Sequence, residues 1–521
     1  MKNFSTLDVV IIAAYLVAMV LTGLFFSRKN KNVSQFTKAS GSIPGWAIGL
    51  SIYATFLSSN TFLGVPGKAF GTNWNAFVFS ISMPFAAWVA AKYFVPFYRK
   101  TGEVSAYSHL EHRFGPWART YAVVCFLLTQ LARIGSIFFG IALTLQAITG
   151  YSMFSIMLVT GICIILYTVF GGMEAVIWTE VVQGIIKTIG AFLILYLIIK
   201  DIPGGIPQII DIGMQDDKFS LGSFAPDLTA STFWVVLLYG FFINLNNFGM
   251  DQNYVQRYHT ATSAEAASKS IWVCVWLYLP ASLLFFVIGT CLYAYAHVHP
   301  EILSGVRLQV AAEQFPGASA AKLNEVAANL APNAYGDKVM PHFMANKIPS
   351  GLLGLIVSAI LSAAMSTISS GMNASATVFS LDIVKRYFKP NMTDKQMLWL
   401  LLSTTAIVGV LGMGTGIAMI GVKSLLDIWW ELSGIFAGAM LGLFLLGIIS
   451  RKAGNAEAVT ATIIGVLVII WMSVPSMIPD HLQYLRSPFH KSMVIVIGTL
   501  AIFLIGVLLT RFRKTPAKVH A

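Results

Sequence analysis

Five hydroxyl side chains fall within nine residues of one strongly apolar stretch of the sequence. They are Ser362, Ser366, Thr367, Ser369 and Ser370. Intervals of three and four residues place most of them on one face of a helix. Hydroxyl oxygens suit a hard monovalent cation. This hydroxyl stripe is therefore a candidate ion site, and the alternative is that the hydroxyls only hold neighbouring helices together.

A polar stretch also interrupts an apolar span much earlier in the chain. Residues Ser58–Thr61 read Ser-Ser-Asn-Thr, and Pro66 follows. Ser and Asn compete with helical hydrogen bonds and proline removes a donor, so we expect this helix to break. Carbonyl groups freed at membrane depth can coordinate a cation. The alternative is a kinked structural helix that is sealed by its own hydroxyls.

Arg133 lies near the middle of another apolar span. A charge there costs at least about 2.5–3.5 kcal/mol on insertion scales, so it should face a partner or a cavity. A guanidinium matches a carboxylate with two parallel hydrogen bonds, which makes Arg133 a candidate for binding an anionic ligand. The alternatives are an internal ion pair with Glu180 and a capped helix end. A further lysine, Lys187, is expected to snorkel or to pair with a nearby acid.

The composition places these residues in a membrane. Of the 521 residues 56% are hydrophobic and 11% are charged, whereas a soluble domain carries about 25% charged residues. The net charge of +12 is spread over short clusters between apolar spans. Such clusters indicate orientation in a bilayer and not a nucleic-acid partner. The sequence shows neither a phosphate-binding glycine loop nor a nucleophile elbow, so neither an ATP-driven pump nor an enzyme is predicted.

Apolar stretches of spanning length recur along the chain and predict an all-α protein with about 13 transmembrane helices. They cover residues 7–26, 44–71, 75–98, 119–149, 154–171, 179–200, 232–254, 269–296, 349–384, 396–420, 425–450, 456–476 and 489–510. The Lys/Arg clusters all fall in segments that face the cytoplasm if the N-terminus is periplasmic and the C-terminus cytoplasmic, and the segments facing out are poorer in Lys and Arg. Residues 297–349 should form a cap of short helices, with a helix-like stretch at 318–331.

The stretch Asn244–Gln252 is again polar and contains a glycine, and it lies five spans after the first interruption. Two interrupted helices, each opening a set of five, are what an inverted five-plus-five repeat predicts. We place an extra N-terminal helix at 7–26, the first repeat at 44–200, the second repeat at 232–450 and two C-terminal helices at 456–510.

Four segments resemble the sodium/solute symporter family. They are Ala54–Leu57 with Ser58 and Thr61, Gly171–Glu180, Asp251–Tyr258 and Ala363–Thr367. Their order matches along nearly the whole chain, and the bacterial sodium/sialic acid symporters are the most similar branch. The resemblance implies one leucine-transporter-type domain over residues 1–521 that works by alternating access. It also implies sodium as the coupling ligand without another cofactor, and we expect a monomer in the lipid bilayer of a bacterial inner membrane.

By position, the resemblance implies two sodium sites. The main site would use the backbone of Ala54, Leu57 and Ala363 and the hydroxyls of Ser366 and Thr367. The second site would use Glu180, Ser366, Ser369 and Ser370. The family usually has Asp at the position of Glu180, and the longer side chain places its carboxylate elsewhere. The number of coupled sodium ions therefore stays open.

The resemblance also implies a substrate site, because an arginine at the position of Arg133 holds the sugar carboxylate in the sialic acid symporters. Ser58 and Thr61 fit that pattern, whereas Phe56 replaces a Thr and Ser80 replaces a Gln. The expected substrate-binding residues are Phe56, Ser58, Asn60, Thr61, Phe77, Ser80 and Arg133. The expected function is sodium-coupled uptake of a small carboxylated sugar, above all N-acetylneuraminate. The alternatives are a symporter of the same fold for a neutral sugar, proline or pantothenate and, in other classes, a channel or a sensor.

Overall fold

Helices make up nearly all of the structure, a computed structural model that describes residues 5–27, 32–420, 425–474 and 480–512. The one β-type contact among these residues is an isolated parallel bridge between Ile43 and Ala261. The prediction of an all-α protein is confirmed.

The first part of the chain forms helices α1 to α9. Their bounds are α1 Thr6–Ser27, α2 Val33–Lys38, α3 Gly45–Phe56, α4 Ser59–Gly71, α5 Trp74–Thr101, α6 Ser108–Phe114, α7 Pro116–Thr149, α8 Met153–Lys200 and α9 Gly205–Gln215. The segment α5 begins with a 3-10 turn and contains a π turn at Ala90–Phe94.

The second part forms helices α10 to α20. Their bounds are α10 Phe233–Met250, α11 Gln252–Thr260, α12 Ala264–Val298, α13 Glu301–Gln314, α14 Ala320–Asn329, α15 Gly336–Lys347, α16 Leu352–Phe388, α17 Asp394–Ala418, α18 Leu425–Ile449, α19 Asn455–Ser473 and α20 Met493–Leu509. Helices α13 to α15 are the short helices predicted for residues 297–349, and α14 lies within the stretch predicted at 318–331.

Within the described residues, ten helices are long and apolar enough to cross a membrane, and the bent pair α3 and α4 adds an eleventh span. Helix α8 has 48 residues and would be roughly 72 Å long if it were straight, more than twice the thickness of a bilayer core. Gly172 divides it into two arms, because its φ of 60° is not helical and is readily adopted only by glycine. The total of about 13 spans stays a prediction.

The break between α3 and α4 lies inside a layer of packed helices. Helix α3 packs against α12 and α8, while α4 packs against α12 and α15. Helix α8 also packs along α16, which in turn contacts α7. This arrangement brings the hydroxyl stripe of α16, the arginine of α7 and the broken helix into one region.

The second interruption lies at Asp251 and not at a glycine. Helix α10 continues through Gly249 to Met250, and Asp251 has extended backbone angles of φ −69° and ψ 121°. The Asp251 carboxylate accepts a hydrogen bond of 2.9 Å from the Asn253 N–H and so caps α11. Gly249 is helical, and the absence of a side chain lets the helix pack on Phe94, whose ring would lie 2.7 Å from an added Cβ. The expected break is therefore real, but an N-cap residue and not the glycine makes it.

Candidate functional site

The predicted break in the second span is confirmed. Helix α3 ends at Phe56, Leu57 has φ −85° and ψ 77°, and α4 begins at Ser59. The axes of α3 and α4 differ by 54°. The end of α3 therefore presents carbonyl groups that have no partner within the helix and carries the negative end of the helix dipole.

The hydroxyl stripe of α16 faces this helix end. Ser366 Oγ donates to the Ala54 carbonyl at 3.0 Å, and Thr367 Oγ1 donates to the Thr55 carbonyl at 3.0 Å. Ser369 instead donates to the Ser366 carbonyl of its own helix at 3.2 Å. The structure thus brings the two candidate ion-binding segments together, as the sequence indicated.

Lys187 of α8 also contacts the end of α3 and the hydroxyl stripe, a role that the sequence analysis did not predict. Its side chain is fully buried, so the expected snorkelling is wrong. Its Nζ lies 2.5 Å from the Ala54 carbonyl oxygen, 2.9 Å from that of Leu57 and 3.0 Å from Ser366 Oγ. The ammonium group donates to three of the five groups that were expected to hold the main sodium ion.

The predicted main sodium site does not fit a sodium ion in this arrangement. The Ala363 carbonyl accepts from Ser366 and Thr367, and the oxygens of Ala54, Leu57 and Ser366 surround the ammonium. Two unit charges about 3 Å apart repel each other by roughly 5 kcal/mol at an effective dielectric constant of about 20. A sodium ion and the Lys187 ammonium therefore cannot share these ligands.

Two of the four residues of the predicted second sodium site, Glu180 and Ser370, contact a guanidinium. Arg257 Nη2 lies 2.9 and 2.7 Å from the two carboxylate oxygens of Glu180 and 2.6 Å from Ser370 Oγ. Both charged side chains have no solvent exposure. Ser51 and Ser370 also donate to the Glu180 carboxylate. Glu180 and Ser370 therefore bind Arg257, a residue to which the sequence analysis gave no role of its own.

A cavity of about 80 Å³ lies beside the break and is lined by six of the seven predicted substrate residues. These six are Phe56, Ser58, Asn60, Thr61, Ser80 and Arg133. Phe77 is not among the lining residues, and its place in a substrate site stays a prediction. Its ring packs edge-on against that of Phe286, which lines the cavity, with ring centroids 5.5 Å apart. The volume is enough for a few water molecules, so a sugar requires the walls to move.

Arg133 lines this cavity and forms an ion pair with Asp251. Its Nη1 lies 3.3 Å from Asp251 Oδ2, and both side chains are nearly buried. The alternative pairing of Arg133 with Glu180 is wrong, because Glu180 binds Arg257. The Asp251 carboxylate also accepts from Asn253, whose Nδ2 lies 2.7 Å away. The guanidinium is thus oriented at the cavity wall by the residue that breaks the second helix.

Aromatic side chains form the remaining walls. Phe56 stacks on Tyr254 with ring centroids 4.9 Å apart. Trp430 of α18 stacks on Phe79 at 5.5 Å and accepts a 3.0 Å hydrogen bond from the Tyr239 hydroxyl at its carbonyl oxygen. All five of these rings line the cavity beside its polar residues.

The residues that sequence reasoning missed are charged groups within apolar spans. Lys187 lies two helical turns after Glu180, so both are on one face of α8. A lysine on the same helix face as a buried acid could therefore have been used to predict a polar contact between helices. The carbonyl groups that Lys187 contacts depend on how α8 packs against α3. The spacing of residues within α8 gives no information about that packing.

Comparison with known proteins settles the family. The sequence profile described as the sodium:solute symporter family matches residues 36–465. The chain belongs to the sodium:solute symporter family. It is therefore a membrane transporter and not an enzyme.

Two similar curated members of the family are bacterial. The sodium/sialic acid symporter NanT of Aliivibrio fischeri is 31% identical over 97% of this chain and 93% of its own length. The sodium/sialic acid symporter SiaT of Proteus mirabilis is 30% identical over 90% of each chain. The solved structure of a Na⁺-coupled sialic acid symporter in a substrate-bound outward-open state has a TM-score of 0.84 at 28% identity, over 99% of this symporter and 100% of that chain. The expected leucine-transporter-type fold is confirmed.

Proposed function

We propose that this symporter imports a small carboxylated sugar of the sialic acid type by sodium-coupled alternating access. The observation that carries the substrate class is Arg133, a buried guanidinium at the wall of a central cavity beside a broken helix. A carboxylate ligand would receive charge-assisted, two-point hydrogen bonding from this group. A neutral sugar would leave the guanidinium without a matched anion on the cavity side.

The remaining polar residues suit the other groups of such a sugar. Ser58 and Thr61 offer hydroxyls at the cavity, and Asn60 lines the same wall. Asn60 Nδ2 donates to Ser136 at 2.8 Å, while its buried Oδ1 has no hydrogen-bond partner within the described part of the chain. A buried acceptor of this kind is costly unless something binds it, and a sugar hydroxyl or amide N–H is a suitable donor.

The small volume of the cavity supports alternating access, because a sugar can bind only if the cavity widens. The aromatic groups Phe56, Tyr254, Tyr239 and Trp430 close it to about 80 Å³. A ligand shifts such a structure only if it binds one state more tightly than the other. We propose that the carboxylated sugar favours the state in which Trp430 and Phe56 move apart and Arg133 faces the widened cavity.

The setting of the transporter is part of the proposal. Its membrane is a bacterial inner membrane, with the N-terminus in the periplasm and the C-terminus in the cytoplasm, and its functional unit is a monomer in lipid. The two inverted repeats cover residues 44–200 and 232–450. Sodium supplies the driving energy when it moves down its gradient.

Uptake of radiolabelled sialic acid into proteoliposomes tests this function. An imposed sodium gradient should drive accumulation, and a potassium gradient of equal size is the control. Uptake that is unchanged without sodium would reject the coupling. A thermal-shift panel with sialic acid, a neutral sugar, proline and pantothenate identifies the substrate. A sodium current without any solute would instead indicate a channel.

A further inference from the structure

The ammonium group of Lys187 sits at the place where the broken helix and the hydroxyl stripe meet. It lies 2.5 and 2.9 Å from the carbonyl oxygens of Ala54 and Leu57 on α3 and 3.0 Å from Ser366 Oγ on α16. The side chain is completely buried. The ammonium group of one α8 side chain thus bonds to both segments that the sequence predicted to bind an ion.

The end of α3 explains why a cation is held there. Its last carbonyl groups have no partner within the helix and lie at the negative end of the helix dipole. Thr367 satisfies the Thr55 carbonyl and Ser366 contributes to that of Ala54. The Leu57 carbonyl is satisfied by Lys187. The three N–H groups of one ammonium group match the three oxygens around it.

The other charged and titratable groups near Lys187 are engaged elsewhere. Glu180, two turns away on α8, forms an ion pair with Arg257 of α11. Tyr53 of α3 makes a 2.5 Å hydrogen bond with the hydroxyl of Thr188, and Tyr167 on the other arm of α8 donates to the Met365 carbonyl. Tyr15 of α1 accepts from Gln183 at 3.4 Å. The negative charge of Glu180 is already matched by Arg257, so it does not draw the ammonium away from the end of α3.

We propose that the Lys187 ammonium takes the place of the sodium ion at the main site, so that occupancy of this site by Lys187 and by sodium is mutually exclusive. This inference rests on the proposed cation coupling and specifies how the site works. The lysine bridges α3 and α16 when sodium is absent. Sodium reaches the same oxygens only after the side chain withdraws from them.

Sodium binding to the substrate-free protein tests this exclusion, with Lys187→Met as the variant. The Met side chain has a similar length but no charge, so it leaves the carbonyl groups of Ala54 and Leu57 available to sodium. If the ammonium occupies the site more than nine-tenths of the time, the variant should bind ²²Na⁺ at least about tenfold more tightly than the wild type. Lys92→Met, which removes an exposed lysine stacked on Trp88 and Tyr93, should not change sodium affinity.

Thermal unfolding gives a second readout. The Lys187→Met protein should melt at a lower temperature than the wild type in KCl, because α3 loses its capping donor, and replacing KCl with NaCl should restore part of the loss. The wild type should show a much smaller difference between the two salts. If Lys187→Met does not fold, Lys187→Gln keeps one capping donor without the charge, and the same comparison applies.

Equal sodium affinity of the wild type and both variants, or tighter binding by the wild type, would overturn the exclusion. These measurements need no sugar, so they are independent of the substrate assignment. A wild type that binds no sialic acid in any salt would reject the proposed substrate while leaving the sodium comparison valid.

Discussion

Arg257 and Glu180 form an ion pair in which neither side chain reaches solvent, with Nη2 of the arginine 2.9 and 2.7 Å from the two carboxylate oxygens. The same guanidinium nitrogen lies 2.9 Å from Thr55 Oγ1 and 2.6 Å from Ser370 Oγ. One pair therefore ties α8 and α11 to the first broken helix and to the hydroxyl stripe.

Breaking this pair should be strongly destabilising. Glu180→Gln leaves the Arg257 charge buried without its counter-charge, which typically costs about 3–5 kcal/mol. The loss should appear in reversible unfolding in mixed micelles. Glu265→Gln is the matched control, since it breaks an exposed pair with Lys269, and exposed pairs contribute little.

Replacing both charged partners with apolar residues separates the cost of an unpaired buried charge from the contribution of packing. The double variant Glu180→Leu, Arg257→Met should be less destabilised than the sum of the two single variants, because neither charge remains unpaired. The ion pair contributes little to stability beyond packing if the free-energy losses of the two single variants simply add up in the double variant. The same conclusion holds if Glu180→Gln lowers the free energy of unfolding by less than about 1 kcal/mol.

Arg133 should control the affinity for carboxylated substrates. Arg133→Ala removes the only cationic side chain at the cavity wall within the described residues, and the loss should be about 30-fold to 1000-fold in sialic acid affinity, or roughly 2–4 kcal/mol. The variant should still fold but with lower stability, because the buried Asp251 carboxylate loses its counter-charge but keeps its hydrogen bonds to Asn253. Binding is measured by calorimetry in detergent.

Two comparisons isolate the carboxylate contact. The methyl ester of sialic acid should bind the wild type about as weakly as sialic acid binds Arg133→Ala. Arg99→Ala, which removes donors to the carbonyl groups of Tyr258 and Ala261 outside the cavity, should leave the affinity unchanged. Full sialic acid affinity in Arg133→Ala would remove this residue from the binding site.

Local chemistry made much of the fold predictable. The break after Phe56 could be predicted because Ser, Asn and Pro disturb the hydrogen bonds of the helix that contains them. The hydroxyls of Ser362, Ser366 and Ser370 were recognisable because intervals of four residues place them on one face of a helix. The cap helix α14 began and ended within two residues of its predicted stretch.

Contacts between distant segments were not predictable in the same way. The Lys187 ammonium bonds to residues 133 and 130 positions earlier in the chain, and no spacing rule connects α8 to the end of α3. Asp251 was read as part of a polar stretch and not as the partner of Arg133, 118 residues away. Phe77 was expected at the substrate site, whereas its ring contacts Phe286, 209 residues away.

Two serines at the cavity should respond differently to loss of their hydroxyls. Ser80 Oγ is already hydrogen-bonded to Ser282 Oγ at 2.7 Å, whereas Ser58 lines the cavity at the break itself. Ser58→Ala should weaken sialic acid binding by about 5-fold to 10-fold, the contribution of one hydrogen bond. Ser80→Ala should change the affinity by less than about twofold and instead lower the melting temperature, because Ser282 is left unpaired.

Parallel calorimetry and thermal unfolding of both variants provide the check, and each variant is the control for the other. A larger loss of affinity in Ser80→Ala than in Ser58→Ala would show that the Ser80 hydroxyl leaves Ser282 to bind the sugar.

Lys218, in the connection after α9, should make stability depend on pH. Its Nζ donates to the carbonyl groups of Phe70 and Thr72 at 2.8 Å, at the end of α4. Burial lowers the pKa of Lys218 to about 8, and the nearby Asp216 carboxylate partly opposes this shift. In the unfolded chain the pKa of a lysine is about 10.4. Between these two values the unfolded state binds more protons, so the contribution of Lys218 to the free energy of unfolding rises with pH.

Comparison with Lys218→Met measures this contribution. The difference in unfolding free energy between the wild type and the variant should be smallest below about pH 8 and should grow up to about pH 10. Lys322→Met, at an exposed position of α14, should show a constant difference over the same range. A difference that shrinks as the pH rises would mean that the charged form is favoured in the folded state. The helix-end carbonyl groups of α4 would then outweigh the cost of burying the ammonium.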